Sequence, residues 1–490
     1  MRDHSLLTDF YQLTMMQARF KAVDAGCKAV FDMFIRENPG DNGFSVFAGL
    51  EQFVEYIENL HFDGTDIDYL RGLGHFDPSF LEYLREFRFT GDIYAMAEGS
   101  VFFPTEPVVV VKAPLLQANF IETAMLNILN HQSLIATKAA RVCYATNGDD
   151  VLEFGLRRAQ GADAGVLGAR AAIIGGCAAT SNVLAGKMFD LPLRGTHSHS
   201  WVMSFDCELT AFRQYATAFP DKCILLVDTY DTLNSGVPNA IKVFDEMVAK
   251  GVKLQNYGIR LDSGDLAYLS KMARQMLDDA GYKGARISAS SDLDEDLIQS
   301  LKLQGAKIDV WGVGTRLITS MQAPAMGGVY KLAAVERGGK VIPKIKLSEN
   351  PVKVTTPGEK KVYRIYDAKQ NKIKADLIML ANETLRTDKN LTLFDPQAPW
   401  KKMHLKAGSF YAKELLQPIF KDGKKVYKSP TVLEIRDFCR KEQATLWDEH
   451  RRLVNPHQVP VDLSQKLYDL KQKMLHDSRK EIGEITSSWL

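Results

Sequence analysis

Apolar residues recur along this chain with two different periods, and the change from one to the other divides it. In the first hundred or so residues, short apolar runs at Ala29 to Ile35, Asp92 to Met96 and Val108 to Val111 predict strands. Leu115 to Ala145 then carries Phe120, Ala124, Leu126, Ile128 and Leu129 as a broad apolar stripe, which predicts a long buried helix linking a front domain to a barrel. From Val151 the rhythm becomes a short apolar run, a turn and a helical pattern, repeated. Val151 to Phe154 precedes a helix running through Ala172, Cys223 to Val227 precedes Asn239 to Lys250, and Tyr257 to Leu261 precedes Leu266 to Ala280. Arg286 to Ser288 precedes Asp292, whose D-x-x-E spacing to Glu295 has the form of a capping box, and Asp309 to Val313 ends the series. Strands alternating with helices of roughly 10 to 15 residues predict a parallel sheet.

After Gly327 strand patterns return at Val329 to Val335, Val341 to Leu347 and Val362 to Tyr366, with a Gly338-Gly339 turn between the first two. Near the end Leu463, Leu467, Leu470 and Met474 form one helical face. The expected architecture is α/β: a front α/β domain over 1–145, an irregular α/β barrel over 146–326, strands returning to the front domain over 327–400 and a mainly helical region over 401–490. A chain of 490 residues has room for a barrel of roughly 200 to 250 residues plus these additions.

Composition narrows the partners. Lys and Arg number 61 against 60 Asp and Glu, so no global field recruits nucleic acid or an anionic membrane, and any anionic ligand must be held locally. The six cysteines, Cys27, Cys143, Cys177, Cys207, Cys223 and Cys439, form no C-x-x-C pair and read as reduced thiols. Met1-Arg2-Asp3-His4 leads into no signal-peptide core, and no apolar run approaches the ~18 residues that span a bilayer, so a cytoplasmic protein is expected.

The candidate chemistry sits where the apolar runs end. Gly195-Thr196-His197-Ser198-His199-Ser200 is followed by Asp228, Arg260, Asp262 and Asp292 at spacings near thirty residues, the places at which a parallel α/β barrel displays its reactive groups. Imidazole carries a proton or a phosphoryl group, and on a strand His197 and His199 would face the same side. An H-x-H after a strand also suits a barrel metal-dependent hydrolase, but no histidine occurs between His199 and His404. Asp228, Asp262 and Asp292 suit ribose hydroxyls or Mg²⁺, as well as helix capping. Arg157, Arg158 and Arg260 have the fork that matches phosphate and carboxylate oxygens, and Gly312-Val313-Gly314-Thr315 offers backbone N–H groups to an anion. No Walker loop is present. The basic stretch Lys344 to Arg364 reads as a lysine-guarded edge hairpin or as a phosphate clamp.

Five co-linear segments carry a resemblance: Leu6 to Met15, Phe154 to Arg158, Gly195 to Ser200, Gly258 to Asp265 and Gly327 to Leu332. Together, over residues 6 to about 365, they resemble nicotinate phosphoribosyltransferases, of the type II phosphoribosyltransferase class. The resemblance implies a homodimer with a shared active site, and a reaction of nicotinate with phosphoribosyl pyrophosphate coupled to ATP hydrolysis with Mg²⁺. It implies that His199 becomes phosphorylated, that Thr196 lies at the pyridine site, and that Phe154 stacks on one face of the ring while Tyr11 of the other subunit covers the second. Arg157, Arg260 and Asp262 fall at substrate-binding positions, and Gly314 and Thr315 at the ribose-phosphate loop. The position separating acid from amide substrates falls at Ser181; its neutrality favours nicotinate over nicotinamide, because a carboxylate there would repel the acid.

Overall fold

The structure is a computed structural model describing residues 4–22, 27–350 and 353–487. Met1 to Asp3, which enter the expectation about the N-terminus, and Pro351 of the basic stretch lie outside them. The chain forms two compact units. One comprises 1–134, 325–430 and 438–490, and the other 135–324 with 431–437.

The first unit is built on a seven-stranded antiparallel sheet. Its order is Lys340–Pro343, Gly328–Arg337, Lys28–Ile35, Val109–Pro114, Asp92–Ala95, Gln417–Lys421 and Lys424–Lys425. The strand after Gly327 thus does pair with the first strand of the chain, Phe31 opposite Leu332, and Phe31 stacks on Tyr330 with ring centroids 4.7 Å apart. Gly338 and Gly339 both have positive φ, as the tight turn between Gly328–Arg337 and the edge strand Lys340–Pro343 requires. The expected single helix from Leu115 to Ala145 is two, Leu115–Phe120 and Glu122–Ala145, and the division between units falls within the second.

A four-stranded sheet in the same unit joins Phe410–Glu414, Lys360–Asp367, Ile373–Leu380 and Val461–Leu463. Residues 402–425, expected in a mainly helical region, instead supply the strands Lys402–Leu405, Phe410–Glu414, Gln417–Lys421 and Lys424–Lys425; helices come after them at Val432–Ala444, Asp448–Arg451 and Gln465–Ser487. The basic stretch also departs from expectation. Lys360 is buried and pairs with Asp32 at 2.7 Å, and its remaining protons go to the carbonyls of Thr356 and Gly358. Arg364 is fully buried, pairs with Asp376 at 2.7 Å and Glu442 at 3.1 Å, and lies 5.0 Å from the Phe103 ring centroid. Removing one member of such a buried pair costs roughly 3–5 kcal/mol, so these two cations hold the fold and are not free to clamp a ligand.

The second unit carries six parallel strands in the order Ala179–Thr180, Asp150–Glu153, Val310–Val313, Arg286–Ser290, Gly258–Leu261 and Ile224–Leu226. Ile259, Ile287, Trp311 and Val313 are buried, and amphipathic helices such as Val237–Ala249 and Leu266–Asp279 come after their strands, as the alternating sequence pattern requires. Among the described residues no strand ladder joins the two edges of this sheet, so the expected barrel is not closed by strand pairing. The segment 192–197 lies in the gap. It is hydrogen-bonded to Thr180 of one edge through Pro192 O and Arg194 N–H, both at 3.0 Å, and reaches the other edge where Leu226 N–H donates to His197 Nε2 at 3.2 Å. Among the described residues no helix is long and apolar enough to cross a membrane.

Candidate active site

Most of the polar residues singled out in the second unit lie in or just after its parallel strands. His199 is not on a strand; it opens the short helix His199–Met203 behind Ser198. Its Nε2 lies 3.2 Å from Oδ1 of Asp228, just past the Ile224–Leu226 strand. A carboxylate only accepts, so Nε2 is the donor of this pair and Nδ1 is the nitrogen left outside it. The other oxygen of Asp228 accepts from Asp262 N–H and from the Ser263 hydroxyl, each at 2.7 Å. The 2 % exposed carboxylate of Asp228 therefore fastens His199 to the next strand end, while His199 itself stays 38 % exposed.

His197 does not share a face with His199. It is buried edge-on against Tyr215, with ring centroids 4.7 Å apart, and its Nε2 is taken by Leu226 N–H. Burial pushes its pKa down to about 4, opposed by the Ser198 carbonyl and reinforced by the Arg260 and His199 charges, so the ring is neutral at physiological pH. One histidine is thus a structural strut across the gap in the sheet, and the other is left partly exposed beside Asp228. This also removes the H-x-H metal reading, because the two rings do not offer lone pairs to one ion.

Arg260 comes from the Gly258–Leu261 strand and is mostly buried. Its guanidinium donates to the Thr196 hydroxyl and to His197 O, the latter at 3.2 Å, and lies 3.8 Å from Asp262, while its buried Nε has no hydrogen-bond partner. The Ser290 hydroxyl donates to Asp262 from the neighbouring strand. Arg260 and Thr196 border a cavity of about 260 Å³ together with Phe154, Ala179, Ser288 and Gly312. The Phe154 ring lies over Gly312, where a Cβ would stand 2.8 Å from two ring carbons, so only glycine leaves the ring in place.

The remaining candidates are spread around these. Arg157 sits exposed on the turn Leu156–Arg158, close enough for its charge to reach Arg260. Ser181 comes just after the Ala179–Thr180 strand, exposed, with its N–H donating to Glu153 O at 3.0 Å. Gly314 caps the four-residue helix that Thr315 begins. Asp292 is exposed and does not cap the next helix. Asp294 does, accepting from Leu297 N–H at 2.8 Å, while Glu295 is buried against Lys138 and Arg141. Asp294, and less strongly Asp292, hold Arg316 protonated. Tyr11 belongs to the other compact unit, on the helix Phe10–Lys21, and is 49 % exposed. Sequence reasoning missed Glu153, Ser263 and Ser290, which tie the strand ends together; for Glu153 the signal is a carboxylate beside Phe154 at an inward strand position.

Comparison with known proteins places this geometry. The profile of the nicotinate phosphoribosyltransferase N-terminal domain matches residues 6–130, that of the family matches 150–372 and that of its C-terminal domain matches 359–471. The chain is 48 % identical to the nicotinate phosphoribosyltransferase of Bacillus subtilis, with 98 % of this chain and 97 % of that one aligned. It is 37 % identical to the Caenorhabditis elegans protein of the same name, over 94 % and 92 % of the two chains. The crystal structure of human nicotinic acid phosphoribosyltransferase superimposes with a TM-score of 0.82 at 29 % identity, covering 96 % of this chain and all of that one. The chain belongs to the nicotinate phosphoribosyltransferase family.

Proposed function

We propose that this enzyme transfers the phosphoribosyl group of phosphoribosyl pyrophosphate to nicotinate in NAD biosynthesis, coupled to ATP hydrolysis through a phosphate carried on His199. The C1–O bond of the donor breaks with pyrophosphate leaving, and a bond forms from C1 to the pyridine nitrogen, which is already a nucleophile and needs no strong base. Catalysis is then a matter of positioning and charge. Arg260 receives the nicotinate carboxylate at the cavity wall, Phe154 stacks on the ring and Thr196 borders it. Asp262 faces the cationic sugar, with Asp228 and Asp292 on the same side of the sheet. Arg157, Gly314 and Thr315 take phosphate oxygens. The observation that carries the reading is the His199–Asp228 pair: the carboxylate holds Nε2–H, so Nδ1 is placed to attack the terminal phosphorus of ATP, the bond to the β-phosphate oxygen breaking with ADP leaving, and water later cleaves the N–P bond to release phosphate.

Mg²⁺ fits this rim as a cation held mainly by substrate phosphates. Both oxygens of Asp228 are engaged, while the second oxygen of Asp262 and the exposed carboxylate of Asp292 would be hard donors to such an ion. When bound, the ion neutralises the departing pyrophosphate. A homodimer is supported by apolar side chains left in solvent on each unit: Phe10 and Tyr11 on one, and Val183, Leu184, Leu193 and Met203 on the other. In this reading Tyr11 of one subunit covers the nicotinate held by the other. Six free thiols support a cytoplasmic setting.

Incubation with nicotinate, phosphoribosyl pyrophosphate, Mg²⁺ and ATP is the direct test. Release of pyrophosphate with nicotinate mononucleotide, and an acid-labile phosphate on the protein, are expected; binding without turnover would make the chain a nucleotide sensor. Two substitutions probe the pyridine pocket. Ser181→Asp is expected to lower kcat/KM for nicotinate at least tenfold, about 1.4 kcal/mol, and to shift the ratio of acid to amide use. An unchanged ratio would mean that selection lies elsewhere. Gly312→Ala pushes on the Phe154 ring and is expected to raise the nicotinate KM roughly tenfold with little change in the KM for phosphoribosyl pyrophosphate, as steady-state kinetics would report.

A further inference from the structure

Glu153 is a buried carboxylate that the reaction above does not use. It ends the Asp150–Glu153 strand, immediately before Phe154, and is fully inaccessible to solvent. One carboxylate oxygen accepts from Gly155 N–H, and the other accepts from the Thr180 hydroxyl at 2.5 Å. The Thr180 oxygen in turn accepts from Asn182 N–H at 3.0 Å, and the main-chain carbonyl of Glu153 accepts from Ser181 N–H at 3.0 Å. One residue therefore holds the turn that carries Phe154 and, through Thr180, the turn that carries Ser181. Gly155 has no room for adjustment, since a Cβ there would stand 2.4 Å from the Ile318 Cβ and 2.9 Å from the Glu153 carboxylate.

Burial alone works against a charged group at this place and raises its pKa, while the bonds from Thr180 and Gly155 draw it back. A neutral core could tie two loops with hydrophobic contacts. A carboxylate adds direction: it only accepts, so the Thr180 proton must point at Glu153 and the Thr180 lone pairs must face Asn182. The relay has a single orientation, and with it the 180–182 turn has a single shape.

We propose that Glu153 is a positioning residue for nicotinate, locking the stacking side chain Phe154 and the acid-selecting position Ser181 into one geometry through Thr180. This deepens the function proposed above and rests on it. The Thr180 hydroxyl is the part of the relay that can be removed most gently. Thr180→Val keeps the shape and loses the donor, and Thr180→Ser keeps the donor. Thr180→Val and Glu153→Gln are each expected to raise the nicotinate KM about tenfold while the KM for phosphoribosyl pyrophosphate and ATP-dependent labelling of His199 stay within roughly twofold, and Thr180→Ser is expected to restore the nicotinate KM. Equal nicotinate KM values for Thr180→Val and Thr180→Ser would overturn the proposal. So would a parallel rise in both substrate KM values, or failure of Thr180→Val and Glu153→Gln alike to fold, since Glu153 would then serve stability. Wild-type protein assayed alongside separates the two levels: absence of pyrophosphate release there sinks the proposed reaction, whereas normal turnover with unmoved variants sinks only the role of Glu153.

Discussion

Replacing His199 by alanine is expected to abolish ATP-coupled formation of nicotinate mononucleotide and to leave a slow reaction that ignores ATP. Its side chain is partly exposed with Nδ1 outside the bond to Asp228, whereas His197 is held by Leu226 and by the Tyr215 ring. Adding a phosphate to Nδ1 places nearly two negative charges and three acceptor oxygens beside the rim, where they favour Mg²⁺ and the bound donor. Loss of that carrier is expected to reduce the ATP-stimulated rate by at least ~100-fold, about 2.7 kcal/mol of barrier, without a comparable loss of thermal stability, because the side chain is partly exposed. Full stoichiometric coupling of ATP to product in the variant, or undiminished acid-labile phosphate on the protein, would remove His199 from this role.

Arg260→Met is expected to lower kcat/KM for nicotinate by a factor on the order of 10² to 10³, about 3–4 kcal/mol, which is the scale for truncating one partner of a buried, hydrogen-bonded charge pair. The guanidinium borders the cavity with an unpartnered Nε and two fork nitrogens already oriented by Thr196, His197 and Asp262, so it is held ready for an anion. Arg260→Lys is expected to recover little, since a single ammonium does not reproduce the planar fork. Measuring nicotinate and nicotinamide side by side gives the sharper readout: the loss falls on the acid if the guanidinium meets its carboxylate, and equal losses on both substrates would assign Arg260 to the shape of the pocket.

Much of this arrangement is legible in the residues themselves, for identifiable reasons. The strands Gly258–Leu261 and Val310–Val313 announce themselves because a parallel strand buried on both faces has a short apolar run, and their polar ends stand out against it. Asp228, Arg260 and Asp262 are visible for that reason, whereas His199, which follows no strand, is visible only as part of the H-x-H run. What escapes is whatever depends on a distant partner. The capping position after Arg286–Ser290 is ambiguous in the sequence because Asp292 and Asp294 both have capping chemistry, and Glu295 is claimed by Lys138 and Arg141 some 150 residues earlier. Lys360 and Arg364 share with Val362 the inward positions of a strand, so the period points to the core; their charge suggests solvent, and distant carboxylates such as Asp32, Asp376 and Glu442 make burial tolerable. The gap in the parallel sheet is equally hidden, because nothing local marks 192–197 as the piece lying in it.

The division of the first unit among three stretches of chain has a consequence for its birth on the ribosome. Lys28–Ile35 lies in the middle of a sheet, yet one of its two neighbours is Gly328–Arg337. Synthesis at roughly 5–20 residues per second separates these strands, about 290 residues apart, by something like 15 to 60 s. Through that interval the earlier strand has an unsatisfied edge, while 135–324, nearly contiguous, emerges with all six of its parallel strands in hand. Closure of this sheet therefore waits on chain made long after its first strands, whereas the parallel sheet of 135–324 draws every strand from one stretch.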